Sequence, residues 1–313
     1  MKKIFNLIAS FILLAGFSAC NKDGSDKPGL PPAPVPTVNY KGLTFISSGN
    51  STVCLAKVGA PDEITLEYST DESQWNPYTL GEKISLADGT FLLFRAGEQK
   101  NLTFSKGSDS YYHFEISGPV SAQGNIMSLL DRDFSTPLST NAFFALFEGG
   151  TSLLSAPELP ATTMAQGCYF RMFAECTGLK SAPELPAEAL AYNCYGRMFK
   201  GCSALTYVPD LPATKMEAYC YNSMFANCTS LKFAPELPAK RLESNCYQHM
   251  FEGCTSLTSA PELPATELVS NCYEFMYKDC RNLRYVIGLF TTEPSEKTTK
   301  DWLSGVAASG TFI

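Results

Sequence analysis

Ten of the twelve cysteines fall into two columns, Cys168, Cys194, Cys220, Cys246 and Cys272, and Cys176, Cys202, Cys228, Cys254 and Cys280. Thiols so arranged could form disulfides, hold a metal or act as nucleophiles. An exported cysteine-rich chain ordinarily forms disulfides, and neighbours on stacked coils about 5 Å apart meet the Cα distance for one. Parallel stacking, however, points their Cβ vectors the same way, and each column holds an odd number. Zinc needs convergent ligands at short spacing, whereas Cys-x7-Cys on a helix sets the two residues roughly 12 Å apart. A catalytic thiol needs a base, and only His113 and His249 offer imidazoles. His249 occupies a position that is Arg, Ser or Phe in other copies, and no triad is visible. What remains is cysteine as a small buried hydrophobe, a structural ladder of free thiols with no cofactor, metal or catalytic role.

Two acidic features call for the same weighing. Glu158, Glu184, Asp210, Glu236 and Glu262 form a further column, which would repel unless solvated, bridged by a cation or bonded to turn amides. The expected role is to accept hydrogen bonds from the backbone of a Pro-Glu-Leu-Pro turn. Ser69 to Trp75 (STDESQW) resembles the Asp-box turn of sialidases but is one residue short and occurs once. It is read as a hairpin carrying a packing tryptophan, and the chain as a non-enzyme.

The remaining chemistry is at Cys20. Lys2 and Lys3 precede an apolar run from Ile4 to Phe17 that ends in Phe17-Ser18-Ala19-Cys20. A charged start, a short apolar core and small residues before the cut make a signal peptide (1–19), too short to be a transmembrane helix. The stretch resembles a bacterial lipobox, with Phe17 where an aliphatic residue is more usual. That resemblance implies a lipidated Cys20 thiol and an acylated N-terminus, anchoring the chain at about 0.8 kcal/mol per buried methylene. Asn21 to Asp26 (NKDGSD) resembles the export signal of Bacteroidetes lipoproteins, which implies an outer-membrane, surface-exposed location. The chain carries 24 Lys and Arg against 31 Asp and Glu, and cleavage before Cys20 removes two of the lysines. Such acidity argues against a nucleic-acid partner reached through phosphates.

The elements that must position these residues follow from local patterns. Five prolines between Lys27 and Thr37 (KPGLPPAPVPT) make 20–37 an extended linker. Short β-rich runs separated by turn clusters predict a small antiparallel β-sandwich over 38–120. A connector, 121–141, contains Asn125 to Asp131 (NIMSLLD), spaced as a short amphipathic helix able to seal the first coil of a solenoid. From Thr151 to Cys280 the chain repeats itself, with Leu159, Leu185, Leu211, Leu237 and Leu263 in register. Each copy begins with a short extended piece. Then Leu190, Cys194, Met198 and Cys202 follow four apart, which reads as one apolar stripe on a short helix. The expectation is an α/β solenoid, leucine-rich-repeat-like, of 26-residue strand-plus-helix repeats over 142–290. Residues 291–313 would form a cap, with Asp301 to Val306 as a short helix, a closing strand, and Trp302 covering the last coil.

The recurring Met-Phe-x-x-Cys-x-x-Leu, as in Met224 to Leu231, resembles the BspA-like leucine-rich-repeat proteins of bacterial surfaces. The likeness covers about half the chain and implies adhesion, with host or matrix components as partners. On such a solenoid the variable positions after the first leucine face outward: Lys180, Tyr207, Lys232, Phe233, Arg284 and Tyr285. Aromatic and cationic side chains there are suited to anchor an extracellular protein or glycan. Lateral packing of Tyr207, Phe233 and Tyr285 on one another is the structural alternative. The functional alternative is an accessory glycan-binding lipoprotein of a nutrient-uptake system, with the sandwich as binding module. Oligomeric state is not legible.

Overall fold

The computed structural model describes residues 40–99 and 102–312, so the signal peptide, Cys20, the export signal and the proline linker lie outside the described residues. Strands β1 (Leu43–Ser47), β2 (Ser51–Val58), β3 (Leu66–Ser69), β4 (Asn76–Pro77), β5 (Ile84–Leu86), β6 (Phe91–Ala96), β7 (Ser105–Gly107), β8 (Ser110–Ser117) and β9 (Val120–Gln123) build two sheets. One runs β9-β1-β6-β3-β4, the other β5-β2-β8-β7, with every pairing antiparallel. Phe45 of β1 and Phe94 of β6 meet Phe114 of β8 between them, at 4.9 and 5.4 Å between ring centroids.

The repeats form stacked coils whose backbones lie in register, one copy of the motif to a coil, yet no coil contains a helix. The expected strand-plus-helix α/β solenoid is corrected to an all-β, turn-built one. Among the described residues one helical element exists, a 3-10 turn at Ile126–Leu129. The error lies in the period. Residues four apart advance about 400° around an α-helix, so a strict four-residue stripe drifts by about 40° per step. Here the stripe does not drift, because every fourth residue adopts a left-handed backbone: Gly167, Arg171 and Glu175 in one coil, and Asn193, Arg197 and Gly201 in the next.

This arc divides its amides between two tasks. Cys168, Phe170, Met172, Ala174 and Cys176 each donate N–H to the carbonyl three residues back, closing successive tight turns at 3.0 to 3.2 Å. Gly167, Tyr169, Arg171, Phe173 and Glu175 donate to Tyr192, Cys194, Gly196, Met198 and Lys200 of the following coil, at 2.7 to 3.1 Å. A helix would spend all these donors internally and leave nothing to join the coils. Left-handed non-glycine residues cost roughly 1–2 kcal/mol each, and five inter-coil bonds return about 0.5–1.5 kcal/mol apiece. These terms are similar in size, so burial decides. Each coil buries Leu, Tyr, Met and Phe side chains, each worth about 1.5–3 kcal/mol. In one coil these are Leu185, Leu190, Tyr195, Met198 and Phe199.

Identical side chains therefore stack along the axis. Tyr169, Tyr195, Tyr221, Tyr247 and Tyr273 form one ladder with ring centroids 5.8 to 6.0 Å apart. Phe147, Phe173, Phe199, Phe225, Phe251 and Tyr277 form another at 5.3 to 5.7 Å. Opposite the arc, the prolines remove ladder donors. Between coils the extended side is consequently reduced to single bridges such as Ser181↔Tyr207 and Phe233↔Ser259, with longer strands only at β10 (Leu153–Ser155), β11 (Ser259–Leu263), β12 (Tyr285–Gly288) and β13 (Thr311–Phe312).

Both ends differ from expectation. The sandwich seals the first coil together with the connector, whose Ile126 N–H donates to the Glu158 carbonyl at 3.1 Å while Glu158 N–H donates to Gly124 at 2.8 Å. Phe104 and Phe114 donate N–H to Ala142 and Leu146, β9 pairs in parallel with β10, and Phe114 stacks on Phe147 at 5.4 Å. The expected amphipathic helix is a single 3-10 turn, which also lies buried beside β1 and β6, where Ser128 Oγ accepts from Leu43 N–H and donates to the Phe94 carbonyl. At the C-terminus Asp301 and Gly305 continue the left-handed columns, and Phe275, Tyr277 and Asp279 donate to Lys300, Trp302 and Ser304. The expected helix is thus another turn arc, repeating the backbone without the sequence motif. Trp302 packs on Tyr273 and Phe290 at 6.2 and 5.9 Å and covers the last coil.

Candidate functional site

The two cysteine columns face the core, and every described cysteine is a buried free thiol. In the second column each Sγ–H donates to a phenylalanine carbonyl of the preceding coil: Cys176 to Phe147, Cys202 to Phe173, Cys228 to Phe199, Cys254 to Phe225 and Cys280 to Phe251, at 3.0 to 3.1 Å. In the first column Cys168 lies 3.8 Å from Met164 Sδ and Cys272 3.8 Å from the Thr298 carbonyl, while Cys194, Cys220 and Cys246 are fully buried. Burial pushes the thiols up, to about 12 for Cys168, Cys176 and Cys280. A thiol so placed is neither a nucleophile nor a metal ligand at neutral pH.

The acidic column lies on the surface. Glu158, Glu184, Asp210 and Glu262 are exposed and, among the described residues, hold none of the turn amides that sequence reasoning assigned to them. Asp71 does behave as a turn carboxylate. It accepts N–H from Ser73 and Gln74 at 2.9 and 2.8 Å, and the bonds from Gln74 and Ser73 pull its carboxyl below the usual range. Trp75 packs under the Arg95 guanidinium at 3.7 Å, and Arg95 pairs with Glu67. His113, on β8, lies beside Tyr111 and far along the chain from any buried thiol of the arcs.

The expected ligand residues share one side of the coil. Bridges join 181 to 207, 233 to 259 and 259 to 285, and the 26-residue repeat relates 207 to 233, placing Ser181, Tyr207, Phe233, Ser259 and Tyr285 in a single column. Tyr207 and Phe233 are each 40% exposed and Tyr285 57%, and no ring-to-ring contact joins them. The packing alternative for these three side chains is therefore not what the structure adopts. Lys180, Lys232 and Arg284 are exposed one position earlier. The ridge continues through Ile287 of β12 and Leu289 just past its end, also exposed.

A concavity lies on the outer surface of the arcs. It is a hollow of about 440 Å³, rimmed by Phe170, Tyr192, Arg197, Lys200, Tyr219, Gln248, His249 and Glu252. Small residues line it where a neighbouring copy has larger ones, Ser223 and Ala226 standing in the places of Arg197 and Lys200. The helical reading obscured it, because outward positions of this arc recur in pairs every four residues rather than around a 3.6-residue turn. A signal was nonetheless present. The pair that reads Phe170-Arg171 becomes Gly196-Arg197, Asn222-Ser223, Gln248-His249 and Glu274-Phe275, variable where flanking residues are constant.

Comparison with family models, with curated proteins and with solved structures returns no match. The function must therefore be read from the surface described above.

Proposed function

We propose that this chain is a non-enzymatic binding protein of a bacterial cell surface, held in the outer membrane by lipid on Cys20 and engaging an extracellular protein through the exposed ridge of its solenoid. The observation that carries the reading is the in-register exposure of Tyr207, Phe233 and Tyr285 beside Lys180, Lys232 and Arg284. Large rings left in water gain nothing for the fold, and aromatic anchors next to cations are the side chains that dominate protein interfaces. Resemblance of the repeat to BspA-like surface proteins supports the same assignment.

The test replaces Tyr207, Phe233 and Tyr285 together with alanine and measures capture on an array of extracellular-matrix and bacterial surface proteins. The expected result is loss of capture by a chain that stays folded, with only a modest fall in the unfolding midpoint, since the three side chains are partly covered but lie outside the core. Capture that survives the triple change refutes the ridge. Surface display is tested separately by protease treatment of intact cells, comparing the native chain with one in which Lys22, Asp23 and Asp26 are alanine. Cleavage of the native chain alone is expected, and protection of both would place the protein in the periplasm.

A further inference from the structure

The hollow on the arcs lies on a different side of the coil from the ridge, with the shared core between them. Its chemistry is also different. Two other cations of this surface are neutralised by carboxylates at equivalent positions of the preceding coil. Arg171 pairs with Glu148, twenty-three positions earlier, and Lys278 pairs with Glu252, twenty-six positions earlier, at 3.0 Å. Applied to Arg197 and to Lys200, both offsets point to the same residue, Ala174. The position that carries a carboxylate in the coils of Glu148 and Glu252 carries a methyl group here. Neither Arg197 nor Lys200 has a carboxylate within 4 Å among the described residues, and the side chain that Arg197 faces is the Phe170 ring at 5.9 Å.

The one acid on the rim offers them nothing. Glu252 Oε2 is held by His249 Nδ1 at 2.6 Å and Oε1 by Lys278. Burial opposes its ionised form, but these two hydrogen bonds outweigh burial and lower its pKa. The hollow therefore carries two unanswered positive charges on a chain whose formal net charge is −7. Around them stand neutral groups that serve hydroxyls: the amides of Asn193, Asn222, Asn227 and Gln248. Asn222 and Gln248 are pre-ordered, Asn222 Nδ2 donating to Gln248 Oε1 at 2.8 Å and Gln248 Nε2 to Glu274 at 2.5 Å. Tyr192, 45% exposed, and Tyr219 meet edge to face at 5.7 Å and present rigid amphipathic rings at one wall.

We infer that this hollow is a binding site for an acidic saccharide, a hexuronate unit whose carboxylate lies between Arg197 and Lys200 while its hydroxyls meet the amides and its ring face meets Tyr192. Guanidinium binds a carboxylate through paired, charge-assisted hydrogen bonds, and a neutral sugar leaves both cations uncompensated. A bare anion uses the charges but none of the amides or rings.

The experiment titrates the full chain with oligogalacturonate, with a neutral galactose oligosaccharide of equal length, and with inorganic phosphate, by calorimetry at low ionic strength. The uronate is expected to bind roughly tenfold or more tightly than either comparator, a difference of about 1.4 kcal/mol. Ala174→Glu supplies the missing carboxylate; the Ala174 methyl is itself buried, but the equivalent Glu148 and Glu252 side chains reach the surface. It is expected to weaken uronate binding by about tenfold or more. Arg197→Gln with Lys200→Gln, which adds no bulk, should do the same if Ala174→Glu perturbs folding. The Tyr207, Phe233 and Tyr285 triple variant should bind uronate as the native chain does, so the two faces succeed or fail independently. Equal binding of uronate and neutral sugar, a preference for phosphate, or undiminished binding by the Arg197/Lys200 variant overturns the proposal.

Discussion

Replacing Gly253 or Gly149 with alanine separates a turn-built arc from a helix by the sign of the stability change. In a helix, either change gains about 1 kcal/mol, because glycine is the poorer helix former. In the arc both residues are left-handed, with φ of 74° and 73°. A Cβ there costs roughly 1–2 kcal/mol, of which about 0.4–1 kcal/mol is returned by the stiffer unfolded chain. At Gly149 nothing lies within 4 Å of the added carbon, so the net loss is that difference, from near zero to about 1.5 kcal/mol. At Gly253 the new methyl also runs into Asn227 Oδ1, whose side chain must move, and the loss is larger. For a chain of this size 1 kcal/mol is about 2–4 °C in Tm. The assay is urea and thermal unfolding of the full chain. Because repeats couple mainly to their neighbours, amide exchange provides a local reading at the Gly253 N–H bonded to Lys278 and the Asn227 N–H bonded to Glu252. Stabilisation of about 1 kcal/mol by either substitution would refute the arc.

Three further outcomes follow from the core and its end. Tyr277→Phe should stabilise the chain by about 1 kcal/mol in urea titration, since the Tyr277 hydroxyl is buried without a partner and the same ladder carries Phe at all five preceding positions; destabilisation would mean the hydroxyl is satisfied. The thiols have folded pKa values raised above the ordinary 9.0, so their contribution is complete below pH 9 and is lost as pH rises from there toward 12 and beyond. The unfolding midpoint should fall steeply over that window, and an alkylating reagent at pH 8 should label the columns only in denaturant; ready labelling of the folded chain would contradict their burial. Trp302→Ala should uncover Tyr273 and Phe290 and cost about 3 kcal/mol, read as faster amide exchange confined to 271–312. Exchange that spreads evenly along the solenoid would show that the last coil is not a separate cap.

Much of this architecture is determined by spacing alone. A motif recurring at one fixed, short period dictates stacked coils, because a unit that small cannot bury its own apolar face. Stacking in turn places Tyr169, Cys194 or Phe225 against its own kind and sends Tyr207, Phe233 and Tyr285 into one column. The thiol assignment for the cysteine columns needed only their number and direction. What spacing alone left undetermined is the backbone that meets it. A four-residue stripe fits a short helix and a chain of tight turns equally well on hydrophobicity. The choice is made between coils, where alternate amides must find carbonyls on the next coil, as Tyr169 finds Cys194. The sequence does carry the trace of that choice in Asn193 and Gly201, Asn245 and Gly253, residues that tolerate a left-handed backbone and weaken a helix. Arg197 and Glu175 adopt the same backbone with no such trace, compelled by their neighbours in the stack. The hollow is likewise a tertiary fact. Ala174, Arg197 and Lys200 look ordinary in sequence, and only the fixed offset between coils reveals that one methyl group leaves two cations without a partner.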